Sequence, residues 1–298
     1  MIRPHGFRSN PETRADNAFQ TADAGGEVAA AARAEFDAAV AQLRGAGVTV
    51  HDFDDFGTDT PDSVFPNNWF STHPGGHVAV YPMFAENRRR ERRWDVIDML
   101  KRQYRVQDVI DYSGLEEDGL ALEGTGAMVL DHIEHVAYVA KSNRADPVLL
   151  ERFCTNFAFE PIAFDAADAE GRRVYHTNVL MTIGTGFAMV GLEMITDPAR
   201  RDTVAERLAE PGRDVIDLSA AQIGDFAGNA IELTGRDGPL LALSARALAS
   251  LTPDQIARIE RHAALLPLAV PTIETAGGSV RCMIAGLHLS RRPQKVRP

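Results

Sequence analysis

The chain has 298 residues, 45% of them hydrophobic and 24% charged, with a net charge of −11. That length can bury a large core, and the composition is ordinary for a protein that folds in water. The acidic balance argues against nucleic acid as a partner, because phosphate binding relies on Lys and Arg.

No apolar run reaches the roughly 18 residues of a membrane span. The opening Met1-Ile2-Arg3-Pro4-His5-Gly6-Phe7-Arg8 lacks the basic-then-apolar pattern of a secretory signal. The expectation is a cytoplasmic protein with no membrane partner. Two cysteines, Cys154 and Cys282, are too few for a disulfide framework, and no Cys or His cluster has zinc-finger spacing, so no metal is expected.

In chain order, a helix is predicted from Glu27 to Leu43, stopped by Gly45 and Gly47. A strand–turn–strand pattern follows at Trp69–Pro82. The basic run from Arg88 to Arg93 leads into an amphipathic helix through Trp94, Ile97, Leu100 and Tyr104, and reads as its solvated face. Further hairpins are predicted at Ala127–Ala140, Asn178–Gly191 and Ala230–Ser244, with a clipped one from Cys282 to Leu289.

Asp197-Pro198 opens a helix to Leu208, and Thr252-Pro253 opens one to Leu266. Each pair offers an N-cap followed by proline at the first helical position. The result is a mixed α/β array of hairpin-plus-helix units, expected to form a single catalytic domain over residues 1–298. A dinucleotide-binding sheet is disfavoured. Gly124-Thr125-Gly126 lies between a Glu and a strand, and Gly184-Thr185-Gly186 lies inside a hairpin.

One polar residue stands before, or at the start of, the first strand of each unit: Asn67, Glu123, His176, Asn229 and Cys282. The first two are 56 residues apart, and each later step is 53. Units arranged around an axis would bring these five together. A nucleophilic cysteine needs a nearby base, and the base needs a third group to orient it. Cys282, His176 and Glu123 supply those types.

Cys282 follows Gly277-Gly278, which permit close backbone approach, and Arg281, which adds positive charge; the reading places the thiol at a strand start. Cys154, in a helix-like apolar stretch, reads as a buried small hydrophobe. His73 and His77 flank one turn and His132 and His135 another, and read as loop residues.

The strings Pro61-Asp62-Ser63-Val64-Phe65-Pro66-Asn67-Asn68-Trp69-Phe70, Leu122-Glu123-Gly124-Thr125-Gly126, Tyr175-His176-Thr177-Asn178-Val179 and Gly277-Gly278-Ser279-Val280-Arg281-Cys282-Met283 resemble those of the guanidino-group-modifying superfamily. That superfamily includes arginine deiminases, dimethylarginine hydrolases and amidinotransferases. With Arg3-Pro4 and Asn17-Ala18-Phe19-Gln20, the chain is most similar to its citrulline-utilisation hydrolase branch.

The resemblance implies a five-bladed α/β propeller with the active site on its pseudo-fivefold axis, and no cofactor. It implies Cys282 as nucleophile, His176 as general acid and base, and Glu123 as the carboxylate that polarises substrate nitrogens or orients His176. Arg144 matches the position that holds a substrate α-carboxylate. Ala276 and Gly286 depart from the pattern, where a third glycine and an acidic residue are expected.

The expected partner is a small amino-acid substrate, and a homo-oligomer is compatible with the sequence. Asn67, Asn68 and Asn229 are candidate substrate-binding residues. Relatives that bind a cationic guanidinium place carboxylates where Asn67 and Asn68 stand. Two neutral amides suit a ureido group better, which points to citrulline. Arginine deiminase, dimethylarginine hydrolase and amidinotransferase activities, and an inactive binding protein, are the alternatives.

Overall fold

The computed structural model describes residues 1–21 and 27–293. Four sheets share one plan: an antiparallel hairpin, then a third strand parallel to the second. Numbering begins with β1 (Ile2–Pro4) and β2 (Phe53–Asp55). The first sheet contains β3 (Phe70–His73), β4 (His77–Val80) and β5 (Asp108–Asp111). The second contains β6 (Val129–Asp131), β7 (Val136–Ala140) and β8 (Glu160–Phe164). The third contains β9 (Met181–Ile183), β10 (Phe187–Val190) and β11 (Asp214–Asp217). The fourth contains β12 (Ile231–Thr234), β13 (Pro239–Ser244) and β14 (Ala264–Leu268).

A parallel strand needs a crossover, and a helix supplies it in each unit. The crossovers are Trp94–Gln103, Pro147–Phe157, Pro198–Ala209, and the pair Ala245–Ser250 and Pro253–Ile259. Their starts follow the capping rule. Asp146, Asp197 and Thr252 each precede a proline and accept a backbone N–H of the first turn. β1 pairs in parallel with β2 across the helix Val28–Gly45, repeating the last half of the same plan.

Three predicted features are corrected. The repeating unit has a third strand. The helix opened by Thr252 stops at Ile259 rather than Leu266, because Ala264–Leu268 pairs with β13. Cys282–Leu289 forms no hairpin: Thr72 Oγ1 donates to the Gly286 carbonyl and accepts from the His288 N–H, so a side chain holds this segment instead of a ladder.

First strands of neighbouring hairpins meet: β6 lies beside β9, and β9 beside β12. The one-turn helices Pro66–Asn68, Gly124–Ala127 and Thr177–Leu180 precede β3, β6 and β9, and pack on one another in that order. A residue at the head of such a turn is therefore drawn toward its counterparts. Apolar clusters fill the space between each sheet and its helices; Cys154 lies in one of them with Phe153 and Phe157.

Neighbouring units are also fastened by charge. Arg213, just before β11, makes a bidentate pair with Asp131 of β6 at 2.6 and 2.9 Å, and both are buried. Removing one partner strands the other charge. Asp131→Ala is expected to cost about 3–5 kcal/mol in urea unfolding; a loss under about 1 kcal/mol would place the pair among solvated ones.

Candidate active site

Glu123 and His176 each occupy the residue before a one-turn helix, and neither side chain caps its own helix. Both are free to meet. Glu123 Oε2 accepts His176 Nε2 at 2.8 Å, and Oε1 accepts the Phe84 backbone N–H at 3.0 Å. Arg88 Nη1 and Arg144 Nη1 each lie 3.5 Å from Oε2.

Burial alone would push the Glu123 carboxyl up, but Arg144, the His176 hydrogen bond and Arg88 overcome it and hold it far below the usual range. Burial pushes His176 down to about 4 against the opposing pull of Glu123. At neutral pH the pair is therefore carboxylate and neutral imidazole. An ionised carboxylate only accepts, so Nε2 carries the proton and Nδ1 keeps its lone pair. Gly126 makes room for that ring: a Cβ there would fall 2.9 Å from Nδ1 and 2.1 Å from Asn68 Oδ1.

Cys282 lies in the turn 280–283, a correction to its reading as a strand start. Its backbone N–H donates to Ser279 O at 3.0 Å. Two side-chain amides aim at the sulfur: Asn178 Nδ2 at 3.2 Å and Asn229 Nδ2 at 3.3 Å. Asn229 Oδ1 accepts Ser279 N–H at 3.2 Å, which locks its amide orientation. Gly277 has φ +84°, and a Cβ there would lie 2.3 Å from Asn17 Nδ2, so this approach needs glycine.

Cys282 and His176 share the wall of a small cavity of about 10 Å³ with Asp62, Asn68, Arg88 and Arg144. Tyr175, Thr13 and Asn17 also line it. A larger cavity of about 440 Å³ lies elsewhere, between Leu43, Tyr104, Leu233 and Leu289, and holds none of these groups.

Arg144 is buried. It pairs with Asp16 at 2.5 and 3.0 Å, and its guanidinium lies 4.9 Å from the Tyr175 ring centroid. Asn68 lines the cavity; with its amide turned to satisfy both ends, its oxygen accepts Arg88 at 3.0 and 3.1 Å and its nitrogen donates to Asn67 Oδ1 at 3.2 Å. Asn67 and Asn229 lie behind the wall, the first against Asn68 and the second against the thiol.

Sequence reasoning missed three residues here. Arg88 is not on a solvated face: it is buried against Glu91 at 2.9 Å, with Asp62 at 3.7 Å. Asp62 is buried, and its Oδ1 has no partner. Asn178 reaches the sulfur. Asp62 and Asn178 stand inside recognised strings, so position within those strings was the available signal; Arg88 had none. His73, expected in a loop, is buried, with Nε2 bonded to Ser71 Oγ at 2.7 Å.

Among the described residues, no three or more His, Cys, Asp or Glu are grouped to hold a metal ion, and no helix is long and apolar enough to cross a membrane.

The fold is that of the guanidino-modifying superfamily, and the family model and solved structures it matches are those of hydrolases acting on C–N bonds of arginine derivatives. Within it, the chain belongs to the N,N-dimethylarginine dimethylhydrolase family of eukaryotic type, whose model matches residues 3–289. It is similar to the N-terminal domain of ArgZ, an arginine dihydrolase from the ornithine–ammonia cycle in cyanobacteria. There the TM-score is 0.73 and the identity 13%, over 98% of this chain and 96% of that one.

A dimethylarginine dimethylaminohydrolase, solved as an adduct with S-methyl-L-thiocitrulline, aligns with TM-score 0.64 and 14% identity over 98% and 97%. Unliganded AgrE aligns with TM-score 0.71 and 15% identity, over 100% of this chain and 39% of that longer one. No curated protein matches the chain in sequence.

His176 titrates in the unfolded chain near 6.5 and in the fold near 4. Its contribution to stability is thus present above pH 6.5 and is lost as pH falls toward 4. Tm of the wild type should fall over that window, and less steeply in His176→Gln; an equal slope in both would remove His176 from the acid response. Burial also pushes Cys154 up to about 12, so a chloroacetamidine reagent should label Cys282 and leave Cys154 unmodified, as peptide mapping will show.

Proposed function

We propose that the chain is a cysteine-dependent hydrolase acting on the guanidino or ureido group of an arginine-derived amino acid. One observation supports it above the rest: Cys282 shares a small, charged cavity with His176, which is hydrogen-bonded to Glu123 at 2.8 Å. The further reading of the fold is a five-bladed propeller within one catalytic domain. The four matching sheets are four blades, and β1 with β2 and the segment after Cys282 make the fifth.

In this mechanism the Cys282 thiolate, stabilised by the Asn178 and Asn229 amides, attacks the central carbon of the bound group. His176 Nδ1 takes the Cys282 thiol proton as substrate binds and gives it to the departing nitrogen, which leaves as ammonia or an amine. The freed Nδ1 lone pair then takes a proton from water, whose oxygen attacks the thio-carbon adduct. Collapse breaks the C–S bond and returns the thiolate. Glu123 keeps the imidazole oriented through Nε2. Arg144 holds the substrate α-carboxylate once Asp16 releases it.

Asp62 bears on the substrate. A guanidinium would find one unpartnered carboxylate oxygen on the wall, Asp62 Oδ1, so arginine or a methylated arginine matches the chemistry of the site, which must widen to admit it. Citrulline is the second reading, favoured by the Asn68 amide on the wall and by the unpartnered Nδ2 of Asn67 behind it. From citrulline the same steps release ammonia and then the carbamate of ornithine, which breaks down to ornithine and carbon dioxide.

The deciding measurement is kcat/KM for arginine, monomethylarginine, dimethylarginine and citrulline, with product identification. Cys282→Ala should lose at least about 10³-fold in kcat with all of them. Turnover of any of these by Cys282→Ala at the wild-type rate would end the proposal. Asn178→Ala is expected to lower kcat by about 10-fold with little change in KM, as an amide bonded to the thiolate requires.

A further inference from the structure

A second enclosed space lies beyond the one-turn helices, between the first strands of the four hairpins. Its volume is about 120 Å³, and its wall is formed by Phe70–Thr72, Val129–Leu130, Met181–Ile183 and Ile231–Glu232, with Arg281, His132 and His288. Adjacent residues thus serve different cavities: Cys282 faces the candidate active site, and Arg281 faces this one.

The charge there is uncompensated. Among the described residues the Arg281 guanidinium makes one hydrogen bond, Nη1 to Ile284 O at 2.9 Å, and pairs with no carboxylate. Burial accordingly pushes it down to about 10. The acidic wall residue, Glu232, is occupied elsewhere, bonded to the Thr185 backbone N–H at 3.1 Å and to its hydroxyl at 2.5 Å. His132 and His288 stack with centroids 3.9 Å apart. Burial, and then their neighbours, push them down to about 3 and about 4. Near pH 7 both are neutral, and each offers one N–H donor.

We infer that this cavity is a binding site for one small oxyanion, held by the fork of Arg281 and by ring N–H groups of His132 and His288. A guanidinium with unfilled donors in a partly enclosed space is suited to phosphate, sulfate or a small carboxylate. The volume, about 120 Å³, lies well below the roughly 300 Å³ at which pockets for larger ligands begin, and a small anion fills it as it stands. A metal cation is opposed by the Arg281 charge.

The test is calorimetric titration of the whole protein with inorganic phosphate, and separately with sulfate, near pH 7 in a buffer free of oxyanions. Saturable binding of one anion per chain is expected. Arg281→Met should weaken it about tenfold or more, the loss of a charge-assisted contact. His288→Phe, which keeps a ring at the cavity mouth but removes its N–H donor, should weaken it several-fold. It keeps the test decisive where Arg281→Met fails to fold by circular dichroism. Absence of saturable binding overturns the site. So does binding that keeps wild-type affinity in both Arg281→Met and His288→Phe, since the anion then sits elsewhere.

Discussion

Glu123 carries a full negative charge with none of its surface exposed. A lone carboxylate in that position would take up a proton, and what prevents it is the presence of Arg144, His176 and Arg88 around one oxygen. The rest of the site is arranged by that requirement. Arg88 and Arg144 must be buried to reach it, and they in turn recruit Glu91, Asp62 and Asp16. His176 must donate its Nε2–H hydrogen bond to it, which leaves Nδ1 as the ring nitrogen able to exchange a proton. Burial of such a network contributes little net stability, because desolvation offsets the attraction. What it fixes is geometry and protonation state.

The charges are not fully balanced in their preferences. Burial raises Glu91 to about 7 and also raises Asp62, while Glu123 stays ionised. That division suits a site whose histidine must change protonation while its orienting partner does not.

Delivery of these residues to one place follows from the repeating unit. In each of the first three units a single helical turn precedes an inner strand, and three such turns pack in sequence. The same packing separates two cavities, one before the turns and one beyond them. Cys282 and Arg281, consecutive in a turn, point into different ones. Where Asn229 and Asn178 converge on the sulfur, the amides of one unit and its neighbour meet the nucleophile candidate of a third.

The sequence by itself determined the hairpins, most helix starts and the register that selects Glu123, His176 and Cys282. These depend on local properties: alternation, N-caps before proline, and repeated spacing. It did not show the third strands. Asp108–Asp111 and Asp214–Asp217 are short, flanked by acids and weakly patterned, and become strands only because a crossover helix lays them beside β4 and β10. Nor did it show that Cys282–Leu289 lacks a ladder partner.

Arg88 is the sharpest case. Within a run of arginines nothing marks one as buried; its burial is decided by Glu123, 35 residues away, and by Asp62 on another segment. Residue types and spacing are written along the chain. Which charges lose their water is set by what lies opposite, and that belongs to the tertiary structure.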